Sequence, residues 1–413
     1  MSLGAHTVSS DSRASEGLGN ATPGSRTQIA ESTPRDELPM VLHTRVVTGT
    51  GGGPDKTILN SPRFLPELGY QSVCAYLHPP RDAGFDAIVQ RARDWHAPLV
   101  SIPDRGPFDL SIVGKLHDAC RQHRVAIWHG HDYKSNLAGL LARRRWPMKL
   151  VTTVHGWVRH TWKTPLYYAV DRWCLPRYDK VICVSTDLYQ RCMRLGVSEN
   201  RCVLIENAID TNMFFRAREA NDAKRALALS GRFLIGAVGR LSPEKGFDVL
   251  IRAVGELARE GCDVELAIIG DGDERDALMQ LIRSLGLADR AALVGFRPDL
   301  GGWYEAMDAF ALSSRREGLP NVVLEAMAMS VPVVATNIAG LPKLIANEEN
   351  GLLVEPDDVG ALASSLRRLY NNAQLRARLG RTGRETIERR HSFANRMKKV
   401  TAVYDSVLGV ATP

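Results

Sequence analysis

At 413 residues, 44% hydrophobic and 24% charged, the chain has the length and composition of a globular protein of two or three domains with ample cores. It has no run of eighteen apolar residues, no apolar stretch behind its first residues, and no C-x-x-C spacing among its seven cysteines. These absences argue against a spanning helix, a secretory signal, a zinc site and a disulfide framework, and predict a reducing, cytoplasmic setting.

The net charge of +7 is unevenly spread, with about eight excess positive charges in residues 40–210 and about one in 211–413. A basic first half suits nucleic acid, anionic lipid or a phosphorylated substrate. Residues 1–39 are rich in Ser, Thr, Gly and Pro, with few large apolar residues, and are expected to be a disordered tail. From Pro39 onward, short apolar runs alternate with amphipathic stretches, predicting strands at 40–47, 72–77, 98–102, 125–129, 149–154 and 180–184. Helical patterns fall between them at 55–68, 109–123 and 133–145.

The alternation restarts after Asn207-Ala-Ile-Asp210, with strands predicted at 232–238, 264–269, 291–294, 308–312, 331–335 and 352–354. The reading is α/β: two doubly wound, Rossmann-like domains at 40–210 and 211–390, facing across a cleft where ligands meet the C-terminal ends of strands. A last helical stretch over about 384–408 is expected to pack back on the first domain, so residues 391–413 are set apart as a C-terminal helix.

Several motifs sit at those strand ends. Thr48-Gly-Thr-Gly-Gly-Gly-Pro-Asp-Lys56 joins a strand to a helix and offers backbone N–H donors to an anion, though it has neither dinucleotide nor P-loop spacing. A plain turn that needs glycine is the competing reading. Gly239-Arg-Leu-Ser-Pro-Glu-Lys-Gly246 places Arg240 and Lys245 on a second such loop, where two cations suit a diphosphate or simply flank a capping turn. Gly270-Asp-Gly272 repeats the pattern, and Asp273 is expected to cap the next helix.

His129-Gly-His131 follows a strand; H-x-H could bind a metal, but Asp132 as a helix cap is the preferred reading and no metal is assigned. His155 ends the following strand beside Gly156 and points toward a cleft ligand, or is a satisfied buried histidine. Arg143-Arg-Arg-Trp146 and Trp157 to Tyr168 mix basic and aromatic residues. That mixture suits an anionic membrane surface, a sugar-stacking groove or a half-buried helix. No nucleic-acid module is present, and nucleic acid ranks last.

Glu317 and Glu325 flank a Gly-Leu-Pro turn, with Glu317 expected at a loop tip and Glu325 one turn inside a helix whose N-terminus attracts phosphate. Either acid alone is as well read as a solvated surface group. Taken in order, the glycine loop, His155-Gly-Trp, Val184-Ser185, Asn207-Ala-Ile-Asp210, Gly239-Arg to Lys-Gly246, Gly270-Asp-Gly272 and Glu317 to Glu325 resemble glycosyltransferase family 4. These are retaining nucleotide-sugar glycosyltransferases of the GT-B fold, and the resemblance covers about residues 40–390.

The resemblance implies that Arg240 and Lys245 neutralise the departing diphosphate, doing the work of a metal. It implies Glu317 on the donor sugar's hydroxyls, Glu325 on the ribose, and His155 near the reacting face. Gly52 and Gly53 would approach the phosphate, and Gly239, Gly270, Gly272, Gly318, Leu319 and Asn321 would complete the donor pocket. Attack from the front face needs no protein nucleophile, and none is assigned.

The implied donor is a UDP- or GDP-sugar, with no further cofactor. The implied acceptor is a glycan or lipid-linked glycan in cell-surface polysaccharide or glycolipid synthesis, met at an anionic cytoplasmic membrane face. A non-catalytic nucleotide-sugar-binding protein and an epimerase of the same fold are the alternatives; a phosphorylase would need a pyridoxal lysine, for which there is no candidate. Ala208 stands where the family has Gly, and would cost about 1 kcal/mol if the backbone there is left-handed.

Overall fold

The computed structural model describes residues 38–156 and 164–410, so the expected N-terminal tail lies outside the described residues apart from Leu38 and Pro39. The first domain begins with β1 (Met40–Val46), α1 (Gly53–Phe64), β2 (Gln71–His78), α2 (Phe85–Asp94) and β3 (Leu99–Pro103). It continues with α3 (Ser111–Gln122), β4 (Val125–Gly130), α4 (Tyr133–Ala142) and β5 (Lys149–Val154). It closes with α5 (Thr164–Cys174), β6 (Lys180–Cys183), α6 (Thr186–Arg194) and β7 (Cys202–Leu204).

The second domain opens with α7 (Ala220–Ala226), β8 (Phe233–Val238), α8 (Phe247–Arg259), β9 (Val264–Ile269), α9 (Arg275–Ser284) and β10 (Ala291–Gly295). Then follow α10 (Gly301–Ala306), β11 (Ala309–Leu312), α11 (Asn321–Ala328), β12 (Val333–Thr336), α12 (Leu341–Leu344) and β13 (Leu352–Val354). Three helices end the chain: α13 (Val359–Asn371), α14 (Ala373–Arg390) and α15 (Phe393–Leu408).

Both sheets are parallel and wound in the same sense, in the orders β3-β2-β1-β4-β5-β6-β7 and β10-β9-β8-β11-β12-β13. Strand direction of growth therefore reverses between β1 and β4 and again between β8 and β11. At such a reversal the loops leaving two neighbouring strands diverge to opposite faces and open a crevice. The glycine loop after β1, His131 after β4, Arg240 after β8 and Glu317 after β11 are all placed by this one topological rule.

Strand interiors are near-continuous apolar runs because helices cover both faces; β2 buries Ser72 to His78 and β12 buries all four residues. Around the first sheet, Leu42, Trp128, Leu150 and Val181 face one helical layer, while Val41, Ile127, Val151 and Ile182 face the other. That second layer is α15, whose Phe393, Met397, Val400 and Tyr404 repeat at helical spacing and pack on the first domain.

The long C-terminal stretch is broken at His391-Ser392, where Ser392 caps α15 and Ile209 pairs with the bend through Phe393 N and the His391 carbonyl. This break lets α14 stay with the second domain while α15 crosses to the first. Among the described residues no helix is long and apolar enough to cross a membrane. Ala208 is buried but lies outside the left-handed region, so the anticipated backbone cost does not arise.

Candidate active site in the cleft

A cavity of about 440 Å³ opens at the facing strand ends, walled by Thr50 to Gly53 and Lys56 on one side and by Gly239, Arg240, Gly270, Asn321 and Glu325 on the other. Two helix N-termini converge on it. α1 starts at Gly53 and α11 at Asn321, and a Cβ on Gly53 would lie 3.0 Å from the Asn321 amide nitrogen. Both ends carry partial positive charge, so the space between them favours an anion.

The glycine loop spends much of its backbone inward. Gly49 N–H donates to Asp82 at 2.8 Å and Gly52 N–H to Asp55 at 2.6 Å, and Asp55 also faces Arg45 at 2.8 Å. Gly52 therefore lines the wall with its N–H turned to Asp55, and Gly53 lines it at the helix start.

On the second domain the cations are held differently from one another. Lys245 Nζ donates to Glu317 Oε1 at 2.6 Å, and Ser314 Oγ donates to the same oxygen at 2.7 Å. The two loops that carry this pair are fused. Ser313 Oγ donates to the Lys245 carbonyl at 3.0 Å, and Arg315 clamps Asp248 and Asp357. Gly246 sits at φ 59° with the Ser313 carbonyl oxygen 2.1 Å from where a Cβ would be, so only glycine lets the loops meet. Arg240 is exposed and makes no side-chain hydrogen bond or ion pair among the described residues.

Glu325 is only 1% exposed, and both its oxygens are engaged: Lys56 Nζ donates to one at 2.8 Å and Tyr304 Oη to the other at 2.9 Å. Burial, with the adjacent carboxylate, pushes the Tyr304 hydroxyl pKa well up, so it remains a donor. The Lys56 bond spans the cleft from one domain to the other.

Of the anticipated site residues, Gly52, Gly53, Gly239, Arg240, Gly270, Asn321 and Glu325 wall the cavity. Glu317 and Lys245 pair beside it, Gly318 and Leu319 lie on the turn that follows, and His155 sits past β5 on the first domain. Gly272 packs on Leu241, whose carbonyl a Cβ would reach at 2.4 Å, and is not among the residues that wall the cavity. Asp273 does not cap α9, which starts after Glu274 with no side-chain cap. Asp132 does cap α4, accepting from Lys134 and Ser135 N–H, and it also ties down Val46 N–H at 2.6 Å.

Trp146 is not an interfacial aromatic. It packs on the first-domain core and donates to the Val125 carbonyl at 2.8 Å, whereas Arg144 and Arg145 are exposed. Trp157, Arg159, Trp162 and Lys163 lie outside the described residues.

The floor of the first domain is a layer of imidazoles. His43 Nδ1 lies 3.1 Å from His131 Nε2, and His131 Nδ1 lies 3.2 Å from His155 Nε2. His129 bonds the Tyr404 hydroxyl at 2.6 Å and the Thr153 hydroxyl at 2.7 Å. Burial, with help from Arg396, lowers the His43 pKa to about 3, and burial likewise carries His129, His131 and His155 well below the ordinary range, so all four rings are neutral.

Ring nitrogens of His43, His129 and His131 lie within 4.8 Å of one another, close enough for a shared cation. Both His129 nitrogens are already hydrogen-bonded, however, and the buried Arg396 adds positive charge beside the cluster. That environment suits hydrogen bonding and repels a cation.

Sequence reasoning missed four residues of this region: Lys56, Tyr304, His43 and Arg396. Lys56 was visible as the first cation one turn into α1, and His43 as the inward neighbour of Val41 at strand period. Tyr304 and Arg396 had no local signal.

The chain is matched in its two halves by family models described as Glycosyltransferase Family 4, over residues 51–213, and Glycosyl transferases group 1, over residues 232–372. A lipopolysaccharide core biosynthesis mannosyltransferase of Rhizobium leguminosarum bv. viciae is 28% identical over 306 residues, covering 72% of this chain and 83% of the relative. A UDP-Gal:alpha-D-GlcNAc-diphosphoundecaprenol alpha-1,3-galactosyltransferase of Escherichia coli is 27% identical, covering 72% and 79%. Among solved structures, Anabaena HepE in complex with UDP superposes with a TM-score of 0.73 at 22% identity, over 89% of this chain and 100% of that one. The doubly wound pair of domains, the motifs at their strand ends and these matches together establish that the chain belongs to the family 4 glycosyltransferases of the GT-B fold.

Proposed function

We propose that this glycosyltransferase moves a sugar from a nucleoside-diphosphate sugar, with UDP- or GDP-sugars as the first candidates, to a glycan or lipid-linked acceptor in cell-surface polysaccharide or glycolipid synthesis. The observation that carries this reading is the convergence of the α1 and α11 N-termini on one cavity beside the exposed Arg240. A diphosphate there neutralises two helix ends and an arginine fork at once. The relatives support the acceptor class: one belongs to lipopolysaccharide core biosynthesis and another is a galactosyltransferase named for a diphosphoundecaprenol-linked sugar.

In this reading Arg240 and Lys245 stabilise the leaving diphosphate without a metal, and Glu317, already bonded to Lys245, couples the sugar to the same cation. Retention follows from front-face attack, with the departing phosphate taking the acceptor's proton. A ribose hydroxyl reaching Glu325 replaces Lys56 at Oε1, and the released ammonium then faces the phosphates in the same cavity. The exposed Arg144 and Arg145 support docking on an anionic cytoplasmic membrane face, worth about 1 kcal/mol per surface-proximal cation.

Thermal-shift titration with UDP-, GDP- and ADP-sugars, followed by turnover with and without EDTA, tests the reading. One nucleotide class should stabilise the protein, and turnover should survive EDTA with the anomeric configuration kept. Absence of stabilisation by every nucleotide would remove the donor assignment, and loss of activity in EDTA with recovery in manganese would remove the metal-free step.

A further inference from the structure

Alternate residues of a strand share one face of its sheet. On the face of the first sheet that α15 covers, those positions run from Val41, Ile127 and Val151 in the apolar layer to His43, His131 and His155 toward the cleft. The last three are joined nitrogen to nitrogen at 3.1 and 3.2 Å, with His43 and His131 buried and His155 part-exposed.

A neutral imidazole carries one N–H and one lone pair. Three neutral rings joined by two such contacts have only two consistent proton arrangements. In the first, His43 Nδ1–H donates to His131 Nε2, His131 Nδ1–H donates to His155 Nε2, and His155 keeps its proton on Nδ1. In the second every proton is reversed, and His43 carries its proton on Nε2.

The far end of the chain decides between them. His43 Nε2 is buried and has no hydrogen-bond partner among the described residues. A proton there would be an orphaned buried donor, which folded proteins tolerate less readily than an under-used acceptor. The nitrogen also lies in the field of Arg396, which is 6% exposed and has no carboxylate partner among the described residues. A lone pair facing that cation is favoured and an N–H dipole is opposed. Arg45, the other cation near these rings, is already balanced by Asp55.

We propose that His43 and His131 are positioning residues that hold His155 in its Nδ1–H tautomer, so that the nitrogen left to a ligand is a hydrogen-bond donor and not a base. The consequence for transfer rests on the proposed function: His155 would donate to an oxygen of the donor and could not accept the acceptor's proton at Nδ1. That leaves the departing phosphate as the base. The tautomer itself does not depend on that reading.

The test is long-range 1H–15N NMR of the full chain labelled with 15N-histidine, with the His155 signals identified by their loss in His155→Asn. Wild type should show the Nδ1–H pattern for His155. His131→Leu, which removes the donor, should release His155 to the Nε2–H form or a mixture. His131→Asn, whose amide keeps a donor near the Nδ1 position, should retain the wild-type pattern.

In turnover of the nucleotide sugar that the thermal-shift screen selects, His131→Leu should lower kcat about tenfold with little change in KM, and His131→Asn should recover most of it. An Nε2–H or cationic His155 in wild type overturns the proposal, and so does an unchanged pattern in a folded His131→Leu. If His131→Leu does not fold, the wild-type spectrum decides alone. If the tautomer is as stated but no nucleotide sugar is turned over, the proposed function fails and the proton arrangement stands.

Discussion

The first domain meets the cleft with neutral imidazoles, and the second meets it with ion pairs. His43, His129, His131 and His155 lie close to one another because burial removes their charge. Lys245 and Glu317, 2.6 Å apart on the opposite side, keep theirs by pairing. The contrast separates two tasks. On the first side neutral rings are fixed by hydrogen bonds beside one buried cation, Arg396, whereas in the proposed function charge developing on the leaving group is met on the second side by groups that are already ionised and fixed in place. The only described ion pair that joins the two sides at the cavity is Lys56 with Glu325.

Acid should break the first side before the second. An unfolded histidine titrates near 6.5, whereas His43 titrates at about 3 in the fold and the other three are shifted in the same direction. Below pH 6.5 the unfolded chain therefore binds more protons, and stability falls progressively as pH drops toward 3, by about 1 kcal/mol per ring per pH unit. Urea unfolding at pH 7.5 and 5.5 measures this. A stability that is flat across that interval would mean the rings are charged in the fold. Replacing His43 by Gln should make the dependence shallower.

On the second side, Arg240→Ala or Lys245→Ala should leave the fold intact and lower turnover of the nucleotide sugar about a hundredfold or more. Lys245→Ala also leaves Glu317 with only Ser314. Wild-type turnover in both variants would reduce the loop to a helix-entry turn and remove the contrast between the two sides.

The bond between the sides gives a smaller effect. Lys56→Ala strands a carboxylate that is almost fully buried, although Lys56 itself is a third exposed, so a loss of about 2 kcal/mol is expected rather than the full cost of a buried pair. Combining Lys56→Met with Glu325→Gln should recover most of it. Thermal melts of the wild type, Lys56→Met, Glu325→Gln and the double variant decide this, and additive losses in the double variant would show that the two residues are not coupled.

The smallest change is Ala208→Gly. Because Ala208 is not left-handed, glycine should cost about 0.5 kcal/mol through chain entropy, and a stabilising effect would show that the turn is left-handed after all.

The doubly wound architecture was legible because parallel strands buried on both faces are uninterrupted apolar runs, and most of the predicted strands match within one or two residues. No element was named at α2, α5, α6 or β7: α2 and α6 are rich in charged residues, and β7 is only three residues long. The glycine loop, Arg240 and Glu325 were legible as candidates because they sit at strand ends or near a helix start, but it was the family resemblance, taken over the whole order of motifs, that placed them and Asn321 in one pocket. Asp273 was misread because an acid before a helix looks like a cap whether or not its side chain turns back; here α9 starts one residue later without one. That Trp146 rests part-buried against the core, with its indole N–H on the Val125 carbonyl, was not readable from its place among arginines.

What the sequence determined by itself is therefore everything set by period and by strand-end chemistry: two sheets, one cleft, and the order in which the motifs reach it. The tertiary structure decided which charges are spoken for. Gly52 N–H is committed to Asp55, Glu325 to Lys56 from 269 positions away, and the three imidazoles of the proton chain come from β1, the end of β4 and the end of β5. Arg396 reaches that layer only because the chain bends at His391-Ser392 and sends α15 back across the first sheet. Hydrogen bonds and Coulomb interactions act over a few ångströms in space and have no period along the chain, so such partnerships become readable only when the chain is folded.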